Sequence, residues 1–467
     1  MSTGHGSLNN ASEHRNSTDS RPQATRRLPS CKALIIFLVM SLLMSIPAQA
    51  TTSTVVLVNT EVAEAHATVD FLEADGRITS TTEKTIAAQG LAVITVPATS
   101  LQGSARVLAD RRVEAIVVNA NDKGSIRDSY EAVLPSTMAS FPLFQRPDAS
   151  NKSVFITVLS TDTTETTNVT LRYYDERGVA RGTRTVTLQP LASHNFDIVR
   201  ASGKKKRGLT ATLESTSPVV AAEHVATAGS DGTSLKAVAQ SDECTSCTLG
   251  LIKFGTSDKS LQWTEIYIQN RGTTKARVSL NYRNSKGAST MKQTRTIPAQ
   301  GFTRFDTRQG AQKRGGDFVG YATITQTGEG QPLAVQWLIQ GKGRTRHMGF
   351  NALNSTAGSR LWMCVDTTGT AGLKQHRVER LAITNTSGAT AQGTVEFYDA
   401  SSGERLHQQP LRLASKGFTE INLNAKLSQG ANIGFALVRA DTNTPLIVNA
   451  YSEDSGGASG HTCQPLS

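Results

Sequence analysis

Leu381-Ala382-Ile383-Thr384-Asn385, a turn at Thr386-Ser387-Gly388, then Gly393-Thr394-Val395-Glu396-Phe397-Tyr398-Asp399 and a turn at Ser402-Gly403 decide how this chain folds. Apolar and polar residues alternate with a period of two in both runs, which turns one face toward a core and the other toward water. Leu411 to Leu413, Phe418 to Leu423, Gly434 to Val438 and Thr444 to Asn449 continue the pattern. Six short runs with turn residues between them, and no long segment of helical period, predict antiparallel sheets.

The same order recurs upstream. Ile266-Tyr267-Ile268-Gln269-Asn270 and Val278 to Tyr282 open one copy, Phe155 to Val158 and Val169 to Asp175 another, and Val55 to Asn59 and Ala67 to Phe71 a third. Four copies at a period of about 100 to 115 residues predict four tandem modules. A further strand precedes three of them: Phe141 to Gln145, Leu249 to Lys253 and Leu361 to Val365. Seven strands each fit an immunoglobulin-like antiparallel β-sandwich, so the expected fold is all-β. The boundaries read as a signal segment over 1–50, then modules over 52–137, 138–242, 243–357 and 358–467.

Ser129-Tyr130-Glu131-Ala132-Val133, Phe141-Pro142-Leu143-Phe144-Gln145-Arg146 and the run from Val169 to Gly178 resemble the tandem modules of exported bacterial proteins of unassigned function. The likeness spans residues 52 to 467. It implies a fold and an extracellular setting, and its strand and turn residues carry no chemistry.

The N-terminus carries Arg15, Arg21, Arg26, Arg27 and Lys32, then an apolar run from Ala33 to Ile46, then Pro47-Ala48-Gln49-Ala50. This order is that of a secretory signal cleaved near Ala50, giving a secreted, periplasmic or cell-surface protein with no membrane span in the mature chain. The first module then has no room for a leading strand. Its sheet edge is expected to be short, covered by a neighbour or capped by a partner. Removing residues 1–50 lowers the formal charge from +11 to +8, so the chain stays basic.

Four of the five cysteines lie beyond that segment. An even number in an exported chain predicts disulfides among Cys244, Cys247, Cys364 and Cys463, with Cys364–Cys463 and Cys244–Cys247 as the favoured pairing. A zinc site lacks its second CxxC half, because Cys364 and Cys463 stand far apart in the chain. Asp454-Ser455-Gly456-Gly457 resembles a serine-protease nucleophile segment but occupies an ordinary loop position, and the histidines form no metal-binding spacing. No catalytic residue, metal ligand or cofactor site is read.

The densest charge is Lys204-Lys205-Lys206-Arg207, and the corresponding loop of the third module carries Arg304, Arg308, Lys313 and Arg314. Clustered cations on neighbouring loops suit an anionic polymer held by several weak contacts. Nucleic acid is disfavoured by compartment and by the lack of stacking aromatics beside the charge. The expected function is that of a non-catalytic structural or adhesive surface protein, its modules acting as a semi-rigid rod or gathered in a compact cluster. Its alternative is an extracellular binding protein for cell-surface polysaccharide or another anionic surface polymer, and another surface protein is a further partner class.

Overall fold

The computed structural model describes residues 34–38, 51–97, 103–121, 126–143, 152–197, 208–227, 233–255, 262–311, 317–341, 347–354, 361–365, 378–399, 402–422, 433–441, 444–453 and 458–466. The chain is all-β, built from antiparallel sheets, with one helical turn at Thr307–Ala311 and a 3-10 turn at Gln240–Asp242 among the described residues. Among them, no helix is long and apolar enough to cross a membrane.

The first stretch supplies β1 (Leu34–Leu38), β2 (Thr51–Asn59), β3 (Ala65–Leu72), β4 (Ile78–Ile86), β5 (Leu91–Thr95), β6 (Ser104–Ala109), β7 (Val113–Asn121) and β8 (Ile126–Glu131). They form two sheets, ordered β1-β6-β3-β4 and β5-β2-β7-β8. Val55, Leu57, Val69, Phe71, Val107 and Val117 join one core drawn from both sheets. Strand alternation sends Val56 and Val58 to the opposite face of β2. That face is buried as well, against Tyr398, Phe435 and Leu437 of the last stretch.

The third and last stretches repeat this arrangement. The third has a sheet centred on Ala276–Arg283 and Phe318–Thr327 facing one centred on Gln262–Asn270 and Leu333–Gly341. The last has Ala391–Asp399 and Ile433–Ala440 facing Val378–Asn385 and Leu446–Glu453. The second stretch differs. Its strand Leu209–Thr227 runs for 19 residues from one side to the other and fuses the strands into a single eight-stranded sheet. Elsewhere a turn breaks this path, as at Gly328 with φ +95°, where Thr216-Ser217-Pro218 carry no left-handed residue.

One asparagine fixes the same corner three times. Asn59 donates to the carbonyls of Ala63, Ile86 and Ala87 at 2.7, 3.2 and 2.9 Å. Asn270 does so to Thr274, Ile297 and Pro298 at 2.7, 3.2 and 3.0 Å, and Asn385 to Ala389 and Ala414 at 2.7 and 2.8 Å. These carbonyls sit where the chain leaves one sheet for the other, so the side chain satisfies groups that no ladder reaches. In the second stretch Ser160 holds the place and bonds Thr167 at 2.9 Å.

The four stretches dock in a closed cycle. β8 contacts Thr233–Lys236, which contacts His347–Asn351, which contacts Ala458–Thr462, which returns to β8. A second set of contacts runs the same way round. Gly76 packs on the Pro190 carbonyl, Gly178 on that of Ala299, Gly287 on that of Lys416 and Gly403 on that of Gln89. Each receiving turn holds a left-handed non-glycine residue, Leu191, Gln300, Lys416 or Gln89, with φ between 52° and 58°. At Gly178 (φ +77°) any side chain would be strained and would meet the facing carbonyl. An open rod lacks the contact between first and last stretches that this cycle makes. The boundary read between residues 137 and 138 falls within a strand, Ser136–Phe141. Apolar side chains were available to bury on both faces of the central strands, and an isolated module would leave the outer faces wet.

Candidate functional site

Two polar clusters stand out inside this apolar frame. The first lies where the four last strands meet. Cα register aligns Glu131 with Ile116, Lys236 with Ala222, Asn351 with Gln336 and Thr462 with Asn449, so Glu131, Lys236, Asn351 and Thr462 hold one equivalent position. Glu131, Asn351 and Thr462 are buried and Lys236 is half-buried, and bonds join neighbouring members of the set. The Lys236 ammonium lies 3.1 Å from Glu131, and Asn351 and Gln336 donate to the Lys236 carbonyl at 2.9 and 3.0 Å. Gln336 also donates to Asn351 Oδ1 at 3.1 Å, and Asn449 donates to the Thr462 hydroxyl at 3.2 Å. Burial pulls the Lys236 ammonium down, but the carboxylates of Glu131, Asp242 and Glu114 outweigh it and hold the group above its ordinary value. Burial raises Glu114 against the opposing pull of Arg112. Such a set cross-braces strands; a base poised to act would need a free partner position.

The second cluster belongs to the third stretch. Glu265, only 6% exposed as a side chain, accepts from Trp263 Nε1 at 3.3 Å and from the Tyr267 hydroxyl at 2.7 Å. Arg304 and Arg308 approach it at 3.8 and 3.5 Å, and Arg308 also pairs with Asp306 at 2.5 Å while lying 4.4 Å over the Trp263 ring. The hydrogen bond to Asp306 is the main reason that the Arg308 guanidinium is held above its ordinary value. Burial, then the neighbouring Glu265 carboxylate, push the Tyr267 phenol far up, so it stays a donor. Two guanidinia face two carboxylates here, and the cluster carries no surplus charge.

Among the residues predicted to grip an anion, Arg308 is thus committed to Glu265, Asp306 and Trp263. Lys204, Lys205, Lys206, Arg207, Lys313 and Arg314 lie outside the described residues, as does Ser455. The cysteines stand in two bonded pairs, Cys244 with Cys247 and Cys364 with Cys463, with Cα atoms 5.8 and 4.8 Å apart. Such pairs fit an oxidising compartment. Among the described residues no three or more His, Cys, Asp and Glu side chains are grouped to hold a metal ion. Trp263 and Trp337 are buried, and Trp337 donates to the Leu251 carbonyl at 2.9 Å. His224 meets the Ser234 hydroxyl at 2.7 Å and stacks on Phe155, and burial lowers its imidazole to about 3.

Sequence reasoning missed Glu265. The signal was present, since an acid between Trp263 and Tyr267 on a strand buried on both faces needs cations to hold it.

Residues 39–199, about a third of the chain, match a family of unknown function (DUF5719). No curated protein matches the sequence. The crystal structure of Thermotoga maritima 1070 is similar over 22% of this chain and 92% of its own, at 15% identity and a TM-score of 0.19. Dimeric latent PorU from Porphyromonas gingivalis is similar over 75% of this chain and 31% of its own length, at 11% identity and a TM-score of 0.16. A calcium-binding mutant of Bacteroides uniformis β-glucuronidase 2 covers 54% of this chain and 27% of its own, at 11% identity and a TM-score of 0.11. Likenesses at these scores carry no argument for function.

Proposed function

We propose that this chain is a non-catalytic exported repeat protein of the periplasm or cell surface, in which four immunoglobulin-like modules close on one another into a structural and adhesive ring. The observation that carries the reading is the cyclic docking of equivalent strands and turns, with Lys236 at its centre paired to Glu131 and its carbonyl bonded by Asn351 and Gln336. The disulfide pairs support the compartment. Small-angle scattering tests the ring: a compact chain of this length has a radius of gyration of about 22 Å, and four modules in line roughly twice that. The larger value overturns closure.

Adhesion is tested by incubating the purified protein with labelled cell-envelope polysaccharide. Retention of the polymer with its size distribution unchanged is expected; progressive shortening would mark an enzyme. The basic loop at Lys204 to Arg207 supports the polysaccharide reading, since clustered cations hold polyanions in a salt-dependent way. Neutralising those four residues should lower retention at low salt, and unchanged retention assigns binding elsewhere.

A further inference from the structure

The strand that opens each later stretch pairs with the same inner strand of its sheet, and the register is shared. Ala139 pairs with Leu213, Cys247 with Ile324 and Trp362 with Val438. Leu213, Ile324 and Val438 face Leu171, Leu280 and Val395 on the next strand, as Val107 faces Val69 in the first stretch. The partner of Val107 on its other side is Ile36, in β1. Two positions on, Leu38 pairs with Ala105 and falls at the place of Phe141, Leu249 and Cys364, whose exposures are 1%, 0% and 1%. The edge of β6 therefore presents an apolar place with one row of backbone donors and acceptors, and a bare edge of that kind is prone to pair with any extended segment that reaches it.

The segment that fills it, Leu34-Ile35-Ile36-Phe37-Leu38, comes from the apolar run that the sequence marks for export. We propose that the β6 edge is a strand-acceptor site for an extended apolar segment, and that Leu34–Leu38 of this same chain is its occupant before processing. The run thus has two uses, targeting and completion of the first sheet. Cleavage near Ala50 takes the occupant away and leaves the edge able to take an apolar strand from another chain.

The test uses the full-length protein made without export and carrying Cys31→Ser. Ile36→Cys with Val107→Cys places thiols on paired residues, whereas Leu34→Cys with Ala105→Cys places them out of register. Oxidation should cross-link the first pair at least ten-fold more completely than the second; equal yields overturn the proposal. In a parallel experiment Ile36→Pro, which removes a ladder donor, should speed amide exchange across Ala105–Ala109 at least ten-fold. A synthetic peptide with the sequence of residues 33–39 should restore protection. Exchange unchanged by the substitution overturns the acceptor site, and the cross-linking comparison decides the matter if the proline variant does not fold.

Discussion

The second and third stretches fill one core position in opposite ways. Register places Glu223 where the third stretch has Trp337, both on the strand that follows the sheet crossing. Trp337 is 1% exposed, stacks on Phe350 with centroids 5.2 Å apart and finds a carbonyl for its indole N–H. Glu223 is fully buried, and among the described residues neither carboxylate oxygen has a hydrogen-bond partner. The same two stretches differ at the corner, where Asn270 makes three bonds and Ser160 replaces it. At these two places the third stretch satisfies what it buries, through the Trp337 indole and the Asn270 amide. The second carries a polar liability in its core, and burial alone pushes the Glu223 carboxyl well above its ordinary value, favouring its neutral form.

Truncating the better-filled position should have the largest effect. Trp337→Ala removes the stack and leaves a cavity, and should cost about 3–5 kcal/mol of unfolding free energy in urea melts. A loss below 1 kcal/mol would break the contrast. Glu223→Val restores the residue found at the equivalent Val117 and should stabilise the protein at neutral pH by about 1–3 kcal/mol. The pH dependence follows from the raised value. The contribution of Glu223 is fully present below the ordinary 4.5 and lost as pH rises through its higher folded value. Wild-type thermal stability should therefore gain from this group as pH falls from 8 toward 4.5, and Glu223→Val should flatten that gain.

The corner gives the next effect. Asn270→Ala strands the carbonyls of Thr274, Ile297 and Pro298 and should cost about 2 kcal/mol, read as a lower denaturation midpoint. Ser160→Asn tests the converse in the second stretch, with an expected gain of about 0.5–1 kcal/mol if the asparagine reaches the equivalent carbonyls. A loss there would show that the corner of the second stretch has a backbone path of its own.

Much of the fold was legible because inward-facing residues alternate wherever a strand has one buried and one outer face. Leu381 to Asn385 falls inside Val378–Asn385, and Leu361 to Val365 coincides with its strand. Ile78–Ile86 and Ser289–Ile297 were unread because they are edge strands whose side chains are mostly exposed, each closing with one buried isoleucine. The leading strand of the second stretch lies four to five residues before the predicted Phe141 to Gln145, since Phe141 ends it. Thr233–Lys236, His347–Asn351 and Ala458–Thr462, which close the cycle, were not read as strands. Gly349 and Gly460 lie within them, against Leu235 and Phe350 of the neighbouring stretch, where a side chain would collide. Alternation records burial within one sheet pair; it holds no trace of a face covered by a stretch a hundred residues away.

The seam between Gly403 and the Gln89 turn joins the last stretch to the first, which are not consecutive in the chain, and is looser than the other three. A cycle has no privileged first member. A circular permutant that joins the present ends by a flexible tether and reopens the chain between residues 355 and 360 keeps all four seams, and moves the break from one equivalent junction to another.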